Sequence, residues 1–145
     1  MKTDILPYTR KAQFYETDQM GVIHHSNYIR WFEEARVHFL EQIGFPYERV
    51  ESLGITFAVL ALSCAYKSPV VFGDRVNIFT GVGACGHSKM TICYRVADVL
   101  TDELRTTGET HHYFFRKMDA RPVSLKKAIP ELYDLFCSLR ETGSS

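Results

Sequence analysis

The strongest constraint on the fold is one long amphipathic helix in the first third of the chain. Apolar side chains recur there at steps of three and four residues, at Tyr28, Phe32, Ala35, Phe39 and Ile43. This spacing aligns them in a single stripe, and the charged side chains between them fall mostly outside it. Ser26 or Asn27 can cap the start of the helix, and Gly44 can end it in a left-handed conformation. Such a stripe has to be covered by another element of structure.

Strand patterns dominate the rest of the chain. We predict a first strand over residues 5–15 and, after the long helix, four strands over 55–67, 76–82, 88–99 and 104–117. Two further helices are predicted, a short one at about Pro46–Leu53 and an amphipathic one near Pro130–Arg140. Short turns join the successive strands, which predicts antiparallel neighbours. This order of elements predicts an α+β fold in which one antiparallel sheet wraps the long helix.

Composition argues against several classes of protein. The chain has 145 residues, of which 46 % are apolar, enough for a single ordered domain over residues 1–145. Its formal net charge is +0 without a long basic run, which argues against nucleic-acid binding. No apolar run reaches the length of a signal peptide or a membrane span, so we expect a cytoplasmic protein without membrane insertion. The four cysteines form no CxxC pair, which argues against a structural zinc site.

The densest set of chemical groups lies between the first strand and the long helix, over residues 14–28. Asp18 and His25 stand on opposite sides of a turn at Gly21, so both can face one pocket. A carboxylate can activate water or attack as a nucleophile, while an imidazole N–H or the start of a helix can hold a carbonyl oxygen. That combination suits acyl transfer to water. Two simpler roles stay open: an aspartate that only bonds its own turn, and a structural histidine.

Other charged and histidine side chains invite weaker hypotheses. Glu33 and Glu34 could each supply a catalytic carboxylate from the helix, but a solvated face paired with Arg30 and Arg36 is the more common arrangement. His111 and His112 are adjacent in a predicted strand, so their side chains should point to opposite faces and cannot share a metal ion. No metal site is predicted.

The segment from Tyr15 to Tyr28, continued by Trp31–Arg36, resembles the signature of the hydroxybenzoyl-CoA thioesterase family. It is most similar to the branch of Tol–Pal-associated and related bacterial acyl-CoA thioesterases. Two later blocks match the same family in the same order, namely Tyr66, Pro69, Gly73 and Asp74, and then Arg121-Pro122. The resemblance thus covers nearly the whole chain.

This resemblance implies a hotdog fold, an obligate homodimer that often forms a homotetramer, and active sites at the dimer interface. Asp18 falls on the family's catalytic aspartate, which acts as nucleophile or as base for water. His25 falls on the histidine that polarises the thioester, and Tyr15 on a tyrosine that supports the site in part of the family. An open-edged sheet also gives a physical reason for the dimer, because pairing edge to edge removes the open edges.

The resemblance further implies hydrolysis of acyl-CoA thioesters, with no metal or organic cofactor. Gly21, Val22, Tyr66 and His24 are the expected substrate-binding residues. His24 departs from the aromatic residue that many members carry, so it either lines the acyl pocket or is a solvated neighbour. Basic side chains that could bind the CoA phosphates, though ordinary surface charge is their more common role, are Lys67, Arg75, Lys89, Arg116, Lys117 and Arg121. Two alternatives stay open: a thioesterase for carrier-protein-bound acyl groups, and a non-catalytic acyl-CoA binding module.

Overall fold

One antiparallel sheet wraps the long helix in the computed structural model, which describes residues 5–140. The strands are β1 Tyr8–Lys11, β2 Ile55–Tyr66, β3 Arg75–Cys85, β4 Lys89–Asp98, β5 Leu104–Arg116 and β6 Arg121–Pro122. The helices are α1 Asn27–Gln42, α2 Tyr47–Ser52, α3 Leu125–Ala128 and α4 Pro130–Leu139, and a 3-10 turn lies at Phe14–Glu16. The predicted α+β layout is confirmed, and α3 and β6 are additions to it.

The strand order in the sheet is β1-β3-β4-β5-β2, with β6 on β5. The predicted pairing of successive strands is right for β3, β4 and β5, which tight turns connect. It is wrong for β2 and β3, because the connection over residues 67–74 carries the chain past two strands. β2 pairs instead with β5, in a register that runs from Ile55 opposite Arg116 to Tyr66 opposite Thr106. The twelve-residue β2 is therefore an edge strand.

The first strand is shorter than predicted. Its ladder with β3 ends at Lys11, and a 3-10 turn follows at Phe14–Glu16. The aromatic pair Phe14-Tyr15 imitates a strand in sequence. In the structure the Glu16 carboxylate instead folds back to accept a hydrogen bond from the Gln13 N–H at 2.9 Å, which closes a turn.

The core lies between α1 and the sheet. The predicted apolar stripe of α1 is buried over most of its length, with Trp31 and Leu40 added to it. The Phe32 ring stacks on the Tyr94 ring with centroids 4.3 Å apart. This approach needs Gly108 on β5, because a Cβ atom there would lie 2.5 Å from the Phe32 ring. The helix ends as predicted, with Gly44 at φ +85°.

A row of buried polar side chains runs between α1 and the sheet. The Arg36 Nη1 donates to the Tyr94 hydroxyl at 3.0 Å, and this hydroxyl lies 2.7 Å from the Thr110 Oγ1. The same Thr110 oxygen lies 2.7 Å from the His112 Nε2. His112 is 1 % exposed, whereas its neighbour His111 is exposed, as their predicted opposite faces require. The row places an ionisable group in the centre of the core.

Acid should therefore destabilise the protein through His112. Burial, and secondarily the Arg36 charge, lower the pKa of His112 from 6.5 to about 4. Between these values the unfolded chain binds a proton and the folded chain does not, so stability falls as the pH falls. The expected loss between pH 7 and pH 4.5 is about 2 to 3 kcal/mol in the free energy of unfolding. Urea unfolding at both pH values should show that His112→Gln loses less free energy of unfolding between pH 7 and pH 4.5 than the wild type. An equal loss in the two proteins would contradict the assignment to His112.

Candidate active site

Residues 16–24 form a tight antiparallel ribbon that turns at Gly21. The Asp18 N–H donates to the Val22 carbonyl at 2.9 Å, and the His24 N–H donates to the Glu16 carbonyl at 2.9 Å. Gly21 has φ +80°, a conformation that other residues adopt only with strain. The ribbon fixes Asp18 on one arm and the two histidines at the end of the other, as the predicted turn at Gly21 requires.

The Asp18 carboxylate is half-buried and oriented. Its Oδ1 accepts a hydrogen bond from the Met20 N–H at 2.8 Å, which is the turn bond left open as the simpler role. Within residues 5–140, no residue donates a hydrogen bond to its Oδ2. One oxygen therefore holds the carboxylate in place and the other accepts no hydrogen bond from the described residues, so the turn role and a chemical role are compatible.

The connection between β2 and β3 holds the ribbon from the other side. The Ile23 N–H donates to the Val70 carbonyl at 2.8 Å, and Val22 forms a β-bridge with Val71. The Asp74 Oδ2 in turn accepts from the Val71 N–H at 3.0 Å. The first two sequence blocks of the resemblance thus meet in space.

His25 lies between a second histidine and a tyrosine. The rings of His24 and His25 stack with centroids 4.1 Å apart. The Tyr66 hydroxyl donates to the His25 carbonyl oxygen at 3.0 Å, and the Tyr66 ring stands edge-on to the His25 ring. Burial, together with the adjacent Cys64 thiol, raises the pKa of Tyr66 to about 12. Its hydroxyl therefore stays protonated and fixes the backbone at His25, while direct contact of Tyr66 with substrate stays a prediction.

No side chain of the described residues caps the start of α1, so the predicted capping role of Ser26 or Asn27 is wrong. Ser26 has helical backbone angles, φ −67° and ψ −22°, whereas a capping residue is typically extended. Its Oγ lies 2.9 Å from the His24 Nδ1, and the Asn27 Nδ2 donates to the Glu16 carbonyl at 2.9 Å. Both side chains secure the ribbon, which leaves the first turn of the helix without a competing side-chain oxygen.

Comparison with known proteins identifies the family of this chain. Residues 12–132 match the family described as the thioesterase-like superfamily. The chain belongs to this superfamily. Its relatives include a putative esterase of Aquifex aeolicus, 40 % identical over 89 residues that make up 61 % of this chain and 70 % of that protein. The putative acyl-CoA thioesterase YneP of Bacillus subtilis is 26 % identical over 126 residues, 87 % of this chain and 91 % of YneP.

A solved structure supports the same assignment. A DHNA-CoA thioesterase from Staphylococcus aureus superimposes with a TM-score of 0.86 at 30 % identity, covering 90 % of this chain and 87 % of that one. The predicted hotdog fold and the predicted class of thioester hydrolase are confirmed.

Three residues considered for the site, Tyr15, Glu33 and Glu34, form no hydrogen bond, ion pair or ring contact with Asp18 or His25 among the described residues. Tyr15 is 79 % exposed, and no hydrogen bond joins it to Asp18 or His25 in the part of the chain that the structure describes. Its catalytic role stays a prediction. On α1, the exposed Glu33 lies 3.9 Å from Arg36, whereas Glu34 pairs with Arg10 on β1 at 2.7 Å instead of the expected arginines.

Sequence reasoning missed Glu16, which is 3 % exposed and hydrogen-bonded on both carboxylate oxygens. The sequence around Glu16 does not indicate that its side chain is buried, because most glutamates are solvated.

Over residues 5–140, no group of three or more His, Cys, Asp and Glu side chains could hold a metal ion. In the same range, no helix is long and apolar enough to cross a membrane.

Proposed function

We propose that the protein hydrolyses acyl-CoA thioesters to a free acid and CoA at the Asp18–His25 ribbon. The observation that carries this proposal is the Asp18 carboxylate, which Met20 orients through one oxygen while no residue in the range 5–140 donates to the other. The uncapped start of α1 and the imidazole of His25 follow directly on the same segment. Two of the relatives are named as thioesterases for CoA esters, which supports the substrate class.

In the proposed reaction, the thioester carbonyl oxygen lies against N–H groups at the start of α1, with His25 assisting. Developing negative charge on this oxygen is favoured by the N-terminal end of a helix. Asp18 accepts a proton from water as the water oxygen attacks the carbonyl carbon, and collapse of the tetrahedral intermediate expels the CoA thiolate. Alternatively, an Asp18 oxygen attacks the carbonyl carbon and displaces the CoA thiolate, and water then hydrolyses the resulting anhydride to free the acid and Asp18. A thiolate leaves readily, so no strong general acid is required.

We further propose that the active form is a homodimer, or a homotetramer of two such dimers. One edge of β2 pairs with no other strand of residues 5–140, and its apolar side chains Val59, Leu60 and Leu62 are between 41 % and 54 % exposed. A long exposed apolar edge is a ready surface for pairing with a second strand. A second copy of β2 would continue the sheet and bring the flank of another α1 toward the ribbon. Sedimentation distinguishes two copies from four.

The remaining assignments follow from this site. Gly21, Val22 and His24 form the surface of the ribbon and are proposed to contact the substrate, with Tyr15 in support. Of the basic side chains considered for the CoA phosphates, Arg116 and Arg121 already pair with Asp119, which agrees with a role as surface charge. We place the reaction in the cytoplasm, where the cysteine thiols stay reduced.

Release of free CoA thiol from a panel of aliphatic and aromatic acyl-CoAs tests the proposal. Turnover of at least one member is expected. Rates on the same acyl group attached to CoA and to a carrier protein decide between the two thioesterase classes, and a higher kcat/KM on the CoA ester is expected. Saturable binding of acyl-CoA without turnover would replace the proposal by a non-catalytic binding module.

A further inference from the structure

We propose that Glu16 is a positioning residue that fixes the geometry of the Asp18–His25 ribbon through both its carboxylate and its backbone carbonyl. This inference rests on the proposed thioesterase activity of that ribbon. It assigns to Glu16 a role in turnover beyond that of a buried ion pair that only stabilises the fold.

The carboxylate joins three parts of the structure. Its Oε1 accepts from the Arg10 Nη1 on β1 at 2.7 Å and from the Gln13 N–H at 2.9 Å. Its Oε2 accepts from the Trp31 Nε1 on α1 at 2.9 Å. Both donors outside the turn are buried or nearly so, since Trp31 is fully buried and the Arg10 side chain is 14 % exposed. The carboxylate therefore fixes the start of the ribbon to the sheet and to the central helix at once.

The backbone carbonyl of the same residue holds the far end of the ribbon. It accepts from the His24 N–H and from the Asn27 Nδ2, each at 2.9 Å. Asp18 follows Glu16 by two residues, and His25 follows His24. A displacement of Glu16 would consequently move the proposed base and the proposed carbonyl-polarising group relative to each other and to the start of α1.

The charge state of Glu16 agrees with this role. Burial alone would raise the pKa of its carboxyl group, but hydrogen bonds from Arg10, Trp31 and the Gln13 N–H outweigh burial and lower this pKa. The carboxylate is thus ionised wherever the protein is folded at neutral pH. All three of its neighbours are donors, so only a group that accepts on both oxygens fits.

That last point gives a sharp test in Glu16→Gln, which keeps the size of the side chain. An amide has one accepting and one donating end. Either orientation of the glutamine places its NH₂ against a donor, at Trp31 or at Arg10 and the Gln13 N–H. Glu34→Gln is the matched control, because Glu34 accepts from both Arg10 and Tyr8 through its Oε1 alone and the amide oxygen can keep both bonds.

The variants are compared by steady-state kinetics on an acyl-CoA that the wild type hydrolyses, at a temperature where circular dichroism shows them folded. We expect Glu16→Gln to lower kcat about 10- to 100-fold, as small misplacements of reacting groups do. The KM should change far less, and Glu34→Gln should keep kcat within about twofold. Trp31→Phe removes one donor and leaves a small cavity in the core, and it should lower kcat in the same direction by a smaller factor.

Amide chemical shifts provide a readout that does not depend on activity. Glu16→Gln should shift the amide resonances of residues 17–25, and Glu34→Gln should leave them near their wild-type positions. Unchanged kcat together with unchanged ribbon resonances in a folded Glu16→Gln protein would overturn the inference. A wild type that turns over no acyl-CoA would instead overturn the proposed function, and the resonances would then decide on Glu16 alone.

Discussion

Asp18→Asn should lower kcat at least about 100-fold on any acyl-CoA that the wild type hydrolyses, because it removes the proposed base or nucleophile. The structure makes this an unusually selective change. Asparagine keeps an Oδ1 that can accept from the Met20 N–H, so the turn is preserved. Only the open oxygen is replaced, by an amide nitrogen that cannot take a proton from water. Release of CoA thiol measures the effect, and thermal unfolding shows that the fold is retained.

Asp74→Asn is the matched control for this experiment. The Asp74 Oδ2 accepts from the Val71 N–H in the segment that borders the ribbon, and an amide oxygen can keep that bond. We expect its kcat to stay within a few-fold of the wild type. If Asp18→Asn hydrolyses acyl-CoA as fast as the wild type, the site proposed here is wrong. Glu33 would then be the next carboxylate to replace, and the Glu34→Gln control already tests Glu34.

The parts of this fold that the sequence predicted are those set by local periodicity. The stripe of α1 and the alternation in β3, β4 and β5 depend on neighbours within a few residues, so their patterns are complete in the sequence. The position of β2 in the strand order depends on the path of the eight-residue connection over residues 67–74. No local sequence pattern encodes that path. The 3-10 turn escapes prediction for a related reason. The aromatic pair Phe14-Tyr15 has strand propensity, and two of the three Glu16 contacts that oppose it come from β1 and α1.

The candidate site divides in the same way. Asp18, Gly21 and His25 could be proposed from their types and spacing around a turn, and the family resemblance strengthened that proposal. The partners that hold the ribbon could not be predicted, because Arg10 lies on β1, Trp31 on α1 and Val70 in the connection between β2 and β3. The failed cap is instructive, because Ser26 is a suitable residue type in a suitable place. Its hydroxyl lies instead 2.9 Å from the Nδ1 of His24, two residues earlier, and the backbone of Ser26 is already helical.

A charge near the centre of β2 should lower activity through loss of the proposed dimer. In Leu62→Lys, the substituted residue lies on β2, where the wild-type leucine is 41 % exposed in the single chain. Pairing of two β2 edges would bury both lysines near a two-fold axis, where like charges repel and desolvation adds to the cost. Every 1.4 kcal/mol of this cost weakens dimerisation about tenfold, so a shift of at least about 100-fold in the dissociation constant is expected.

Sedimentation velocity and specific activity, each measured over a range of protein concentrations, test this prediction together. The variant should sediment as a monomer at low concentration with at least about tenfold lower specific activity, and both properties should recover as concentration rises, because dimerisation follows mass action. Leu100→Lys is the control, since Leu100 is 92 % exposed in the turn between β4 and β5 and does not lie on β2. A monomeric Leu62→Lys protein with full activity would show that one chain holds a complete site, and that the ribbon works without a partner.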